Sequence, residues 1–175
     1  LSTSANSLVG NTELITKVYF PRIFVAIAPV IAGLLDFIIS LLVLIVFLLF
    51  YKIYPTGNIL CLPLFIFLSF CVSSGVGMWL AALNAQYRDI KYTVPFLIQV
   101  WMYMCPIVYP ASLIPEKYLF LYNLNPMVGI IEGFRYSLIG NTNININYIL
   151  MSAIISLALF VSGTMYFKKV ERNFA

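Results

Sequence analysis

No histidine occurs among the 175 residues, and charged side chains make up only 9% of them. Without histidine, neither a Ser/His/Asp nor a Cys/His nucleophile arrangement can be assembled. The three cysteines, Cys61, Cys71 and Cys105, lie inside apolar runs with no CxxC spacing, which points to buried free thiols rather than a disulfide or a metal site. A phosphate-cradling loop of the GxxxxGK[ST] type is also missing, so this chain has no route of that kind to ATP. Glu116 and Glu132 fall in different candidate helices and Asp36 in an apolar run, so no carboxylate pair is set up for acid–base work. No catalytic residue, no metal ligands and no bound cofactor are therefore expected, and a membrane-embedded enzyme is the remote alternative.

The scarcity of charge has its own consequence. A soluble domain carries about 25% charged residues, whereas this chain is 62% hydrophobic with a mean hydropathy of +0.99. Bilayer is its solvent. The net charge of +4 comes from a few groups flanking apolar stretches, a pattern of membrane topology rather than nucleic-acid binding. The chain opens at Leu1 on a polar segment without a signal-peptide pattern, and it reads as the C-terminal part of a longer membrane protein.

Four spans are expected, at 23–51, 59–83, 93–109 and 148–167. Ahead of them, residues 1–22 form a mildly amphipathic helix that Pro21 ends, either an interfacial loop helix or a docking helix for a partner. In the first span, Asp36 is an expensive intramembrane carboxylate with Ser40 one turn on. Its expected role is a hydrogen-bonded carboxyl locking two helices together. In the second, Ser69, Ser73, Gly77 and Ala81 recur every four residues, a stripe that lets another helix approach closely. Trp79 sits near that span's end, where an indole meets headgroups. The connector NAQYRDIKY, residues 84–92, reads as a solvated basic loop. In the third span, Tyr92, Phe96, Gln99 and Tyr103 share one face. Aromatic rings stack on sugars and an amide bonds hydroxyls, but such a stripe also packs against helices. Gln99 favours a lined path, because a lipid-facing amide is costly.

Residues 110–147 are neither soluble nor spanning in character. Asn125 is a helix N-cap, Pro126 suits the first helical position, and Gly140-Asn141 makes a stop. Glu132 and Arg135, three apart, can pair on one face. With a second short helix around Glu116–Tyr122, these residues predict a re-entrant pair before the last span. Four crossings put both ends on one side, with Lys17, Arg22, Arg88, Lys91, Lys168, Lys169 and Arg172 there against Lys52, Lys117 and Arg135 opposite. The positive-inside rule assigns that side to the cytoplasm.

SLVGNTELITKVYFPR (7–22), LNAQYRDIKY (83–92), CPIVYPASLIP (105–115), NPMVGIIEGFR (125–135) and the terminal KKVERNFA occur in this order. Together they resemble the permease subunit of type-two ATP-binding-cassette exporters, in the branch that moves O-antigen, capsular polysaccharide or teichoic acid. The resemblance covers essentially the whole chain. It implies an all-α multi-span fold of which spans three to six are visible, followed by these roles. Leu14, Ile15, Lys17, Phe20, Pro21 and Arg22 belong to a coupling helix seated on a cytoplasmic ATPase, which binds the ATP and Mg. Asn125, Pro126, Glu132 and Arg135 shape gate helices at the outer face. Tyr92, Phe96, Gln99 and Tyr103 line the path of a lipid-linked glycan. A homodimer in the bacterial plasma (inner) membrane is implied. A drug or lipid exporter of the same fold, or a non-transporting scaffold, remains open on the residues alone.

Overall fold

A computed structural model describes residues 1–7, 22–53, 57–87, 89–107, 109, 114–140 and 146–173. Among them are seven helices: α1 (Ser2–Ala5), α2 (Arg22–Phe50), α3 (Leu62–Gln86), α4 (Ile90–Met104), α5 (Glu116–Asn123), α6 (Pro126–Ile139) and α7 (Ile146–Asn173). Among the described residues, α2, α3 with its preceding 3-10 turn, and α7 are long and apolar enough to cross a membrane. The span expected at 93–109 forms a helix of 15 residues, Ile90–Met104, that gives way to extended backbone at Cys105. Such a helix rises about 22 Å, short of a hydrocarbon layer of about 30 Å. Pro106 explains the break, because a proline disfavours helical backbone in the residue before it.

Local chemistry fixes the helix ends. Lys52 takes a left-handed conformation (φ 60°) just past α2. Its N–H donates to the Leu49 carbonyl at 3.0 Å, and the Ile53 N–H to the Leu48 carbonyl at 2.9 Å. This crossed pair satisfies carbonyls that the helix end leaves open. Pro63 starts α3 where a missing N–H costs nothing. The Asn125 carboxamide oxygen accepts from the Met127 N–H at 3.1 Å, and Gly140 closes α6 with φ 72°.

Lipid is as apolar as leucine, so helices in a bilayer associate through close packing and hydrogen bonds. The main seam is α3 along α7. A Cβ on Gly75 would lie 2.6 Å from the Leu159 carbonyl carbon, and one on Gly163 would collide with the Gly75 carbonyl oxygen. Ser152 and Ser156 are fully buried on the same helix. Trp79 belongs to this seam rather than to headgroups: its ring stacks on Tyr166 at 4.3 Å and its N–H donates to Ser162 Oγ at 3.3 Å.

Two apolar clusters mark the ends of the bundle. Ala26, Met78, Ala81, Ala82, Phe167 and Val170 join the start of α2 to the ends of α3 and α7. Phe65, Leu68, Val72 and Ile130, with Trp101 and Ile149 against them, join the start of α3 to α6, the end of α4 and the start of α7. Helices α3 and α7 therefore run parallel to each other, and α2 and α4 run antiparallel to them. Helix α1 packs at the first end. Its Ser4 hydroxyl donates to the Ala26 carbonyl at 2.5 Å, and Asn84 Nδ2 donates to the Ala5 carbonyl at 2.9 Å. Asn84 is fully buried, so the connector expected to be solvated begins as the packed last turn of α3.

Candidate functional site

Helices α5 and α6 form a hairpin that enters the bundle and returns. Ile130, early in α6, packs with Leu68 and Val72, two to three turns into α3. Gly133, one turn later, sits against the Phe65 ring, where a Cβ would collide. The last part of α6 lies against the 3-10 turn Gly57–Cys61 that precedes α3. The tip of the hairpin is thus the buried end, and Asn125 stands there. Trp101 Nε1 of α4 donates to the Asn125 oxygen at 3.0 Å, the same atom that caps α6. Gly129 N–H donates to Ser152 Oγ at 3.1 Å, which ties the emerging helix to α7.

The paired charges lie on the flank of α6. Arg135 Nη1 meets Glu132 Oε1 at 2.8 Å, both side chains partly buried. Arg135 Nη2 donates in addition to the Pro106 carbonyl at 2.5 Å and the Ile107 carbonyl at 3.2 Å. Those carbonyls belong to the broken end of α4, whose backbone has left its helix and needs donors. One guanidinium therefore braces the hairpin and satisfies the chain break. The spacing of Glu132 and Arg135 predicts the first contact, whereas the carbonyl contacts have no signal in the sequence. In the last turn of α5, close to the hairpin tip, Tyr122 donates to Tyr109 at 3.4 Å. Burial, and then that hydrogen bond, push the Tyr122 phenol well above its usual range, so it stays neutral.

Tyr92, Phe96, Gln99 and Tyr103 form one exposed stripe along α4, with Tyr92 at 73%, Phe96 at 65% and Tyr103 at 64%. Among the residues of α4 only Val94 is buried. The stripe therefore packs on no described helix of this chain, which separates it from the ordinary core stripe it resembles in spacing.

The intramembrane positions divide. Gly77 and Ala81 are buried packing positions, Gly77 under the Ser4 hydroxyl of α1. Ser69 and Ser73 instead line an open cleft of about 680 Å³ between α2, α3 and α6. Asp36 is a correction. It is exposed, and Ser40 Oγ donates to its backbone carbonyl at 2.8 Å. Cleft-lining residues of α2 are Pro29, Val30, Gly33, Leu34, Phe37, Leu41 and Leu44. At 100° per residue Asp36 points roughly 100° away from the middle of that face, and its exposed carboxyl does not lock α2 to a described helix. Of the expected coupling positions, Leu14, Ile15, Lys17, Phe20 and Pro21 lie outside the described residues, as does the side chain of Arg22. Among the described residues there is no cluster of histidine, cysteine and carboxylate side chains able to hold a metal.

The ABC-2 type transporter family matches residues 3–139. An O-antigen export system permease protein RfbA of Klebsiella pneumoniae is 30% identical over 178 residues, covering 99% of this chain and 68% of the relative. A second Klebsiella pneumoniae protein of that name is 29% identical with the same coverage. One from Myxococcus xanthus is 24% identical over 173 residues, covering 98% of this chain and 66% of the relative. The match runs from α1 through the re-entrant hairpin, and together with the long apolar helices it makes this chain a multi-pass membrane protein of the ABC-2 type transporter family, a transport subunit.

Proposed function

We propose that this chain is the transmembrane subunit of an ATP-driven exporter that moves a lipid-linked polysaccharide of the O-antigen class outward across the bacterial inner membrane. It works as a homodimer with a separate cytoplasmic ATPase chain that binds ATP and Mg, while this chain binds neither. Its basic ends, including Lys91, Lys168, Lys169 and Arg172, face the cytoplasm, and Lys52, Lys117 and the re-entrant hairpin face outward. The observation that carries the reading is the aromatic and amide stripe of α4, which stands exposed in a chain aligned over 99% of its length with an O-antigen export permease.

The geometry suggests how the parts divide the work. Closure of the ATPase pair on ATP moves the coupling segment around Leu14, Ile15, Lys17, Phe20, Pro21 and Arg22. That movement shifts the start of α2, to which the segment connects directly. Helix α4 carries its glycan-facing stripe, Tyr92, Phe96, Gln99 and Tyr103, from one end of the bundle toward the hairpin tip. Rings stack on sugar faces, and Gln99 exchanges hydrogen bonds among hydroxyls. Each contact is weak and repeated, so a repeating polymer slides rather than sticks. Asn125, Pro126, Glu132 and Arg135 hold the hairpin that gates the outer end.

The test is a pull-down of the tagged protein from its native membranes, with and without Lys17→Glu and Arg22→Glu. Recovery of an ABC ATPase that the charge reversals abolish is the expected result. Recovery of no ATPase overturns the reading in favour of a scaffold. An ATPase retained in both forms moves the contact to another segment.

A further inference from the structure

We propose that Asn84 is the joint through which movement of the chain between α1 and α2 reaches α4, a positioning residue that acts through the last turn of α3. The proposal rests on the exporter reading above, in which a partner ATPase moves that stretch of chain.

The two ends of the stretch are bolted to each other and to α3. Ser7 is the last described residue before it, and Arg22 opens α2 after it. Ser4 Oγ donates to the Ala26 carbonyl at 2.5 Å, which joins α1 to the first turns of α2. Ser7 Oγ donates back to the Ser4 carbonyl at 2.7 Å. An added Cβ on Gly77 would lie 2.7 Å from Ser4 Oγ, so α1 rests close on the α3 backbone there. About two turns further along α3, Asn84 Nδ2 donates to the Ala5 carbonyl at 2.9 Å and to Asn6 Oδ1 at 3.1 Å. Ser4, Ala5, Ser7, Gly77 and Asn84 are all buried. A displacement of either end therefore carries α1 with it, and α1 carries the end of α3. The start of α2 does not move alone.

From there the route to α4 has little slack. The Tyr87 N–H donates to the Leu83 carbonyl at 2.8 Å and the Ile90 N–H to the Tyr87 carbonyl at 3.1 Å, so hydrogen-bonded turns link the end of α3 to the start of α4. Helix α1 also packs on α4 itself. Tyr92, the first residue of the exposed stripe, stands in the first turn of α4 beyond this junction.

A cost singles out Asn84 among these contacts. Its Oδ1 is buried and has no hydrogen-bond partner among the described residues. An unpaired buried acceptor destabilises a fold, and an apolar side chain of similar size avoids that cost. Packing alone is therefore poorly served by a carboxamide here. What the carboxamide supplies is a pair of donors aimed at one backbone and one side-chain acceptor, which fixes where α1 sits on α3.

The test compares Asn84→Leu, Asn6→Ala and Asn6→Asp in the full transporter, taken from native membranes with its ATPase. Three quantities are read: folded complex recovered, ATP hydrolysed by that complex, and surface O-antigen on intact cells by antibody labelling. Asn84→Leu is expected to keep complex and hydrolysis within about twofold of wild type while export falls about tenfold, a usual size for coupling between sites. Asn6→Ala, at a half-buried position, should show a smaller loss of the same kind. Asn6→Asp keeps an acceptor for the Asn84 amide and should export near the wild-type level. If export falls only in step with folded complex and hydrolysis, Asn84 is structural and the proposal is overturned. Unchanged export in Asn84→Leu and Asn6→Ala overturns it as well, and where Asn84→Leu does not fold, the Asn6 pair decides. A wild-type protein that recovers no ATPase removes the exporter reading itself, whereas variants that match a working wild type remove only the role of Asn84.

Discussion

The indole N–H of Trp101 and the backbone N–H of Met127 donate to one and the same oxygen, that of Asn125. A single carboxamide thus caps α6 and fastens the hairpin tip to α4. Removing it costs more than an ordinary cap, because the partly buried indole N–H also loses its partner. Asn125→Ala is expected to destabilise by about 2 kcal/mol, the cap giving about 1 and the orphaned donor the rest. Trp101→Phe leaves the cap and removes only the cross-bond. Folded protein surviving a heat step in detergent, measured by gel filtration, should fall in the order wild type, Asn125→Asp, Asn125→Ala. Asn125→Asp keeps an acceptor, so equal losses in Asn125→Asp and Asn125→Ala would remove the shared-acceptor account.

Arg135 reaches three acceptors, Glu132 Oε1 and the Pro106 and Ile107 carbonyls. Its guanidinium is a planar fork, and lysine offers no such geometry. Arg135→Lys should therefore lose most of the brace, and Glu132→Gln less, because Arg135 keeps its carbonyl contacts. The readout is hydrogen exchange of the Cys105 and Ile107 amides, the positions either side of Pro106. Exchange about tenfold faster in Arg135→Lys, with Glu132→Gln closer to wild type, is the expected outcome. If the two variants match, the carbonyl contacts do not hold this segment.

The seam between α3 and α7 gives a prediction of opposite sign to helix propensity. Alanine is the better helix former by about 1 kcal/mol, so Gly75→Ala and Gly163→Ala would stabilise an isolated helix. Here each new Cβ meets backbone of the facing helix, which cannot swing aside. Forcing the helices apart costs about 1–3 kcal/mol or more, so a net loss is expected at both positions. Thermal survival of each single variant decides it, and a gain at either site would contradict the close approach.

Much of this architecture is legible in the residues. Long uninterrupted apolar runs define α2, α3 and α7, and the Asn-Pro start and Gly140 stop define α6, because those signals act locally. What the sequence hides depends on a neighbour. The stripe at Ser69, Ser73, Gly77 and Ala81 is visible, but only Gly77 and Ala81 are buried packing positions, and the tighter Gly75–Gly163 contact lies on another face of α3. Its partner pattern on α7, Ser152, Ser156 and Gly163, is interrupted by Leu159 and Phe160, so no regular spacing announces it. Asn84 reads as loop because Arg88, Asp89 and Lys91 follow it, yet the α1 carbonyl it bonds is 79 residues away. Asp36 carries the opposite lesson, since cost alone does not say which way a carboxylate points.

The exposed face of α4 separates function from stability. Phe96 and Tyr103 are mostly exposed in this chain, so truncating them removes little packing within it. Phe96→Ala with Tyr103→Ala should leave thermal survival within experimental scatter of wild type. If these rings line a glycan path, each stacking contact is worth on the order of 1 kcal/mol, as for other ring contacts. Losing two then slows polymer passage by about tenfold or more, given that about 1.4 kcal/mol is a factor of ten. Surface O-antigen, followed by antibody labelling of intact cells, should fall while ATPase recovery in a pull-down is unchanged. A variant that exports normally refutes the lining role. One that loses ATPase or folded yield instead shows that the stripe packs against a second copy, which is the structural use this spacing most often has.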